Sequence, residues 1–402
     1  MKRPKLGGRR LVKAGAALTG LGLLAFLGVT SGVVSVRARP GHWPVTEAFL
    51  QYAKTRSVAT HSLAVPPPPD LTDPALVLRG AGHFVTGCQP CHGGPGLHHP
   101  PIARAMTPHP PYLPEEVPDW KPRELFYMVK HGLKLTGMPA WPSEKRDDEV
   151  WAMVAFLLTL PGLDSDAYRA LAYGETLEVP RGTVPERVLE SCARCHGLDG
   201  NGRGTGAFPK LAGQRPAYLA AALEAYAEGE RHSGIMGPVA AGLGAGEIRA
   251  LARYYAERPG ASSAAPADTA PPAAGASLAA SRPVAAPALG VAEAIARGER
   301  IAAAGIPAEK IPACSHCHGP TETPRNPHYP DLAGQYPGYL VLQLELFQQD
   351  LRGGSPYARL MRPIADKLDP EQMRDVALYY GSLGDRRAAE SISQSWRTPP
   401  RR

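Results

Sequence analysis

Hydrophobic and polar residues alternate along most of this chain with the period of a helix. Apolar side chains recur three and four positions apart in EVWAMVAFLLTLP, EIRALARYYAERP and QMRDVALYYGSLG, and each of these is preceded by a second such segment: ELFYMVKHGL, AYLAAALEAYAEG and GYLVLQLELFQQDL. The pattern does not show the period of two that strands require. It therefore predicts an all-α protein.

One segment is apolar throughout. Residues 14–36 carry no charge, and roughly 20 apolar residues suffice for a helix to cross a bilayer. The basic segment 1–13 in front of it favours a cytoplasmic N-terminus, which places everything downstream in the periplasm. Because the segment is long, lacks a clean A-x-A site and is followed by Arg37 and Arg39, we favour an inner-membrane anchor; a cleaved signal peptide is the alternative.

Three similar modules follow a spacer at 37–73, which contains four consecutive prolines. Each module has a helix, a cysteine pair followed by histidine, a P-x-L sequence, a helix, a loop with a methionine closely followed by proline, and a closing helix. The predicted boundaries are 74–165 for module one, 183–258 for module two and 291–385 for module three. The Ala/Pro-rich linker 259–290 and the tail 386–402 have compositions that predict disorder.

The net charge of +7 comes from one end of the chain. Residues 1–40 hold eight basic residues and no acidic one, which leaves the remainder close to −1. The modules therefore lack the basic surface that a nucleic-acid-binding protein needs.

All six cysteines lie in Cys-x-x-Cys-His motifs. Residues three apart share a face of a helical turn, so both thiols can reach the vinyl groups of one haem, and the histidine can then bind the iron. The motifs predict three covalently attached haems c, held by Cys88, Cys91 and His92, by Cys192, Cys195 and His196, and by Cys314, Cys317 and His318.

Two other kinds of site use paired cysteines. A zinc site would need the pairs to combine in fours, which three pairs cannot all do, and a redox dithiol would need a βαβ context that the pattern lacks. Haem attachment is the interpretation that uses every cysteine. His316, inside the third motif, is predicted to face solvent.

A methionine in each module is the predicted sixth ligand of the iron: Met138, Met236 and Met361. A thioether there raises the reduction potential relative to a second histidine and closes the iron to substrates. Met106 lies too soon after His92, and the other methionines are assigned to helix packing. Rival histidines precede two of the chosen residues or lie in or near loops: His131, His232, His83, His98, His99, His109 and His328.

A proline recurs between motif and methionine, at Pro111, Pro209 and Pro330. An iron-bound imidazole usually donates its other N–H to a carbonyl, and these prolines are the natural candidates for that carbonyl. The alternative is that they only shape the loop.

Modules two and three resemble the dihaem cytochrome c4 family, through CARCHGLDGNG, LAGQRPAYL and IMGPVA in one and CSHCHGP, LAGQYPGYL and LMRPIAD in the other. The resemblance implies class I cytochrome c folds, electron transfer, and ligand pairs His196 with Met236 and His318 with Met361. Module one, with TGCQPCHGGPG and GMPAW, resembles single-haem cytochrome c modules, which implies His92 with Met138. The long linker leads us to expect no fixed geometry between modules two and three.

The sequence thus predicts a membrane-anchored periplasmic carrier that relays single electrons through three haems and transforms no small-molecule substrate. Its expected donor is a membrane dehydrogenase or a quinol-oxidising complex, and its expected acceptor is a terminal oxidase or a soluble cytochrome. Two alternatives are a subunit of a dehydrogenase or oxidase complex and an enzyme with one open iron.

Overall fold

The computed structural model describes residues 8–33, 35–37, 41–174, 182, 184–260, 289–320, 325–355 and 357–384. Within these ranges the chain is helical and forms no strand, only three isolated bridges. The predicted fold class is therefore confirmed. The predicted tail 386–402 and nearly all of the predicted linker lie outside the described residues.

The N-terminal helix α1 is Gly8–Thr30, and its segment Val12–Thr30 is not buried and is long and apolar enough to cross a membrane. It ends before the predicted limit of 36, because the chain turns at Gly32, where φ is 75°. A second helix, α2, Pro44–His61, occupies what the sequence suggested was a spacer. Its end belongs to module one: Val58 is buried in that module's core and His61 stacks on Tyr127.

Module one is built on two helices that cross closely, Pro74–Gly87 and Asp147–Thr159. Gly80 permits this crossing, since a Cβ there would collide with the backbone oxygen of Ala152. The core extends past the predicted boundary at 165, because Tyr168 is fully buried in it. The helices are α3, Pro74–Gly87; α4, Gln89–His92; α5, Pro101–Arg104; α6, Leu113–Glu116; α7, Pro122–His131; α8, Asp147–Thr159; and α9, Ser165–Tyr173.

Modules two and three repeat the plan with fewer helices. Module two contains α10, Glu186–His196; α11, Pro216–Ala227; α12, Met236–Ala241; and α13, Ala245–Ala256. Module three contains α14, Leu289–Ala304; α15, Ser315–His318; α16, Pro337–Gln348; α17, Ala358–Ala365; and α18, Pro370–Ser382. Each module has its own apolar core, so each attachment motif is held by a separate packed unit.

Modules two and three contact each other directly, contrary to the expectation of no fixed geometry. The side-chain amide of Gln335 donates to the carbonyl of Lys210 (3.0 Å) and accepts that residue's N–H (3.0 Å). Gln214 does the same with the backbone of Asp331, at 2.5 and 3.2 Å. We call this the two–three interface. It is held by side chains of the modules and does not depend on the linker.

Modules one and two are also in contact, through what we call the one–two interface. Leu78 of α3 is buried against Ala207 and Phe208 of module two. Arg79 donates to the carbonyl of Ala207 (3.2 Å), and Arg203 donates back to the carbonyl of Leu171 (2.9 Å), with a further bond to Ala170. The three modules therefore form a connected series.

Candidate haem sites

Each Cys-x-x-Cys-His motif ends a helical turn. In α4 the N–H of His92 donates to the carbonyl of Cys88 (2.9 Å), and in α15 that of His318 donates to Cys314 (2.9 Å). A glycine with positive φ, from 67° to 78°, follows each histidine and stops the helix: Gly93, Gly197 and Gly319. The local sequence thus presents two thiols and an imidazole on a single turn, as the sequence predicted. His316 is exposed, as predicted.

Each of the three motif histidines makes the same kind of hydrogen bond, to the carbonyl of a proline in its own module. Nδ1 of His92 lies 3.0 Å from the carbonyl of Pro111, Nδ1 of His196 lies 3.2 Å from that of Pro209, and Nδ1 of His318 lies 2.9 Å from that of Pro330. Only a protonated Nδ1 can donate to a carbonyl, so this bond leaves Nε2 as the free ligand atom. The predicted carbonyl partners are confirmed.

Burial keeps these imidazoles neutral. Desolvation lowers the pKa of His92, His196 and His318 below the ordinary histidine value, and the bond to the proline carbonyl opposes it only in part. A neutral ring with a free Nε2 is the form that binds iron.

The P-x-L sequences have a second function. The leucine two residues after each proline packs on the core of its own module, and so does the first cysteine of that module's motif: Leu113 and Cys88, Leu211 and Cys192, Leu332 and Cys314. One short sequence therefore supplies both the carbonyl for the imidazole and the apolar contact that fixes the loop.

The first thiol of each motif is a poor metal ligand. Burial raises the pKa of Cys88 and Cys192 to about 12 and that of Cys314 to about 11, so these groups stay protonated at neutral pH. Within the described ranges no three or more His, Cys, Asp or Glu side chains converge as a metal cluster would require.

The three candidate sixth ligands are half-buried but differ in setting. Met138 lies in a loop, where its N–H donates to Oγ1 of Thr136 (3.1 Å). Met236 begins helix α12, and Met361 lies inside α17. The prediction that each methionine lies in an irregular loop is correct for Met138 and wrong for the other two, whose short apolar segments continue as helix.

One rival is closer than the sequence suggested. The methyl group of Met106 contacts Gly137, the neighbour of Met138. Its nearness to His92 in the chain argued against it, but the intervening loop brings it back to the methionine segment. His131, by contrast, is exposed beside Tyr127. Ligation by Met138 stays a prediction, which substitution of Met106 and of Met138 in turn would test.

Several buried polar atoms near the attachment motifs of modules two and three have no hydrogen-bond partner in the described part of the chain. The hydroxyls of Tyr255 and Tyr380, on the closing helices of modules two and three, are buried without a hydrogen bond, as is Nε of Arg194. Burial raises the pKa of both phenols, and the motif cysteines nearby raise it further. Unpartnered buried polar atoms beside the attachment cysteines indicate that a non-protein group binds there, and together with the neutral imidazoles the residues present fit haem c.

Comparison with known families decides the class. The family model described as cytochrome c matches residues 186–268 and 295–384, and the one described as cytochrome c oxidase, cbb3-type, subunit III matches residues 75–157. The thiosulfate dehydrogenase electron acceptor of Thiomonas intermedia (strain K12) is 32% identical over 187 residues, which cover 46% of this chain and 76% of the relative. The chain is a class I c-type cytochrome.

Other relatives agree. Cytochrome c-552 of Acidithiobacillus ferridurans is 35% identical over 205 residues, covering 50% of this cytochrome and 76% of the relative. Cytochrome c4 of Thiocapsa roseopersicina is 30% identical over 194 residues, covering 48% and 86%. The predicted resemblance to cytochrome c4 is confirmed, and so is the carrier function. The cytochrome c domains imply covalently bound haem c and multihaem electron transfer.

The contacts between modules involve residues that the sequence did not single out. Gln214 and Gln335 end the repeated L-A-G-Q sequence, and that repetition was the signal that could have found them. Arg231 is buried between modules two and three, where it donates to the hydroxyl of Tyr339 (3.0 Å) and to Oε1 of Gln343 (2.8 Å). No local pattern marks a contact of this kind.

Proposed function

We propose that this cytochrome is a membrane-anchored periplasmic carrier that relays single electrons through three haems c. The observation that carries the proposal is the threefold recurrence of one arrangement: a Cys-x-x-Cys turn, a buried imidazole, and a proline carbonyl 2.9 to 3.2 Å from its Nδ1. A haem c bound at each motif supplies an iron that accepts and releases one electron.

The chain's own residues hold each iron in a fixed setting. Cys88 and Cys91 and their counterparts would attach the ring, and Nε2 of His92, His196 and His318 would bind the iron. Met138, Met236 and Met361 are the proposed second ligands and would close the iron to substrates. A closed, six-coordinate iron rearranges little on reduction, which suits electron transfer and disfavours catalysis.

Contacts between the modules support a relay. A methyl group at Gly82 of module one would lie 3.1 Å from Sγ of Cys195, so helix α3 passes directly over the second attachment site. Between modules two and three, the backbones of Lys210 and Asp331 each bind a glutamine side chain of the other module. These two residues directly follow the prolines that accept from His196 and His318. The three attachment sites are thus joined by continuously packed protein.

The relatives favour particular partners. Part of this chain is similar to proteins named as electron acceptors of thiosulfate dehydrogenase, modules two and three match the cytochrome c family model, and module one matches a family described as an oxidase subunit. We therefore place a thiosulfate dehydrogenase as donor to modules two and three. A terminal oxidase is the acceptor from module one, which follows the proposed anchor α1.

Haem content tests the count and the ligands. We expect three haems per purified chain, a long-wavelength iron–methionine band of three-site intensity, and no carbon monoxide binding to the reduced protein. Cys192→Ala with Cys195→Ala should remove one haem and leave two. Two haems in the unaltered protein, or carbon monoxide bound at one site, would instead favour the enzyme alternative.

Mixing experiments test the partners. Thiosulfate with a purified thiosulfate dehydrogenase should reduce the full-length cytochrome, and membranes containing a terminal oxidase should reoxidise it. Reduction by quinol through a membrane complex, with none by the dehydrogenase, would replace the proposed donor. A stable partner that co-purifies with the cytochrome would favour the complex-subunit alternative.

Extraction tests the anchor. Because the apolar segment Val12–Thr30 of α1 is not buried against the rest of the chain, the protein should stay in alkali-washed membranes and need detergent for release. Release without detergent, together with a mature N-terminus beyond residue 36, would show a cleaved signal instead.

A further inference from the structure

Glu149 is a buried carboxylate that binds residues of two modules. It lies in the first turn of α8 in module one and is only 3% exposed. Oε2 accepts from Nε1 of Trp141 (3.2 Å) in its own module and from the N–H of Gly234 (2.6 Å) in module two. Oε1 accepts from Oγ of Ser233 (2.6 Å) and lies 3.0 Å from Nη1 of Arg146. Both oxygens are fully used.

The partners of Glu149 lie beside two proposed iron ligands. Trp141 is three residues after Met138, and Ser233 is three residues before Met236. Oγ of Ser233, which donates to Glu149, also accepts the N–H of Met236 (2.9 Å) and that of Ile235 (3.2 Å). The carboxylate therefore fixes a hydroxyl that in turn fixes the turn from which Met236 starts.

Arg146 strengthens the same contact. Its Nη1 donates to the carbonyl of His232 (2.7 Å), the residue before Ser233, while Nε and Nη2 bind the carboxylate of Asp148 at 2.7 and 2.8 Å. Module one thus forms hydrogen bonds with three consecutive residues of module two, His232, Ser233 and Gly234. A buried charge held in this way is costly to disturb, because removing one member leaves the others unpaired.

The corresponding positions in the other modules have a different function. Glu247 in α13 accepts the N–H of Gly244 (2.9 Å), and Gln372 in α18 accepts that of Asp369 (3.0 Å). Both cap the start of their own helix. In module one the residue at this position reaches across to module two instead, so the contact is specific to the first module.

We infer that Glu149 is a positioning residue by which module one holds the methionine turn of module two. It acts through Ser233 and does not touch the iron, and the inference rests on the proposed ligation by Met236. The consequence is that the haem site of module two is complete only when module one is docked.

The experiment compares full-length Glu149→Ala with Glu247→Ala, which removes an acid from the matching position in module two. We expect Glu149→Ala to lose the iron–methionine band of one site and to bind carbon monoxide there. The lost band should be the one that Met236→Ala removes. Glu247→Ala should keep all three bands. Glu149→Gln retains one acceptor oxygen, so it should recover part of the band.

Ser233→Ala provides a second measurement if Glu149→Ala folds poorly. It should cause the same loss, and combining it with Glu149→Gln should add little, since both act on one chain of hydrogen bonds. Unchanged bands and potentials in Glu149→Ala and Ser233→Ala would overturn the inference. If Met236→Ala has the same spectrum as the unaltered protein, Met236 is not the iron ligand. That result would contradict the proposed ligand and not the role of Glu149.

Discussion

The two interfaces between modules are built in different ways. The two–three interface is nearly symmetric, because Gln214 and Gln335, the same residue of a repeated sequence, each bind the backbone beside the other module's proline. The one–two interface has no such symmetry. It includes an apolar contact at Leu78 and a network of charges around Glu149.

This difference shows how each contact is encoded. Two copies of one sequence can bind each other through any residue that both copies carry, so the repeat itself supplies the two–three interface. Module one does not carry the repeated L-A-G-Q sequence, and its contact with module two uses other residues. A substitution should therefore be able to weaken one interface without weakening the other.

The largest effect is expected at Leu78. Leu78→Ala leaves a cavity between α3 and Phe208, which should lower the free energy of unfolding of the packed modules one and two by roughly 2–4 kcal/mol. Modules two and three should stay paired, because none of their contacts involves this residue. Chemical denaturation of the holoprotein, followed at the haem bands, measures both effects.

The control is the same substitution at Leu63, which is 75% exposed beside module one and should change stability little. A common loss of stability in all three modules after Leu78→Ala would mean that the two interfaces are not independent.

An intermediate effect is expected at the paired glutamines. Gln335→Ala and Gln214→Ala each remove two hydrogen bonds to the opposite backbone, which should cost about 1–2 kcal/mol apiece. Because both residues serve one interface, the double variant should lose less than the sum of the single changes. A double-variant cycle in denaturant measures this, and full additivity would argue against a shared interface.

Much of the site could be predicted because its determinants are local. The Cys-x-x-Cys-His turns and the glycines that end them lie within six residues, and the carbonyl partners Pro111, Pro209 and Pro330 recur at similar distances. The helical period of the closing helices is equally local. These features need no knowledge of how distant segments pack.

The rest depends on distant contacts. Helix α2 was missed because its packing partner, Tyr127, lies 66 residues beyond His61. Glu149 looks like an ordinary capping residue, and only the arrival of Ser233 from another module gives it a different partner. Met106 lies close to His92 along the chain, which argues against ligation, but the loop between them brings Met106 beside Gly137. Sequence periodicity does not predict contacts between distant segments.

The smallest predicted effect concerns acid and His83, which lies against Trp141 at the one–two interface. Burial, together with the nearby charge of Arg194, lowers the pKa of His83 to about 4. Its unfolded value is close to 6.5, so the folded state prefers the neutral ring. The stabilisation is complete above pH 6.5 and is lost as the pH falls towards 4. By pH 5.5 the loss should be about 1 kcal/mol.

His83→Gln should flatten this dependence, whereas His42→Gln, at an exposed position outside the modules, should leave it unchanged. Asp148 and Glu149 also titrate in acid, but they are present in every protein compared, so the difference between the curves isolates His83. The measurement is the denaturation midpoint of modules one and two from pH 7 to pH 4.5. Because the two–three interface has no counterpart of His83 among its described contacts, its midpoint should be the same in both variants. Equal curves for His83→Gln and the unaltered protein would mean that the ring is solvated, and that the one–two interface is looser than the contacts of Trp141 indicate.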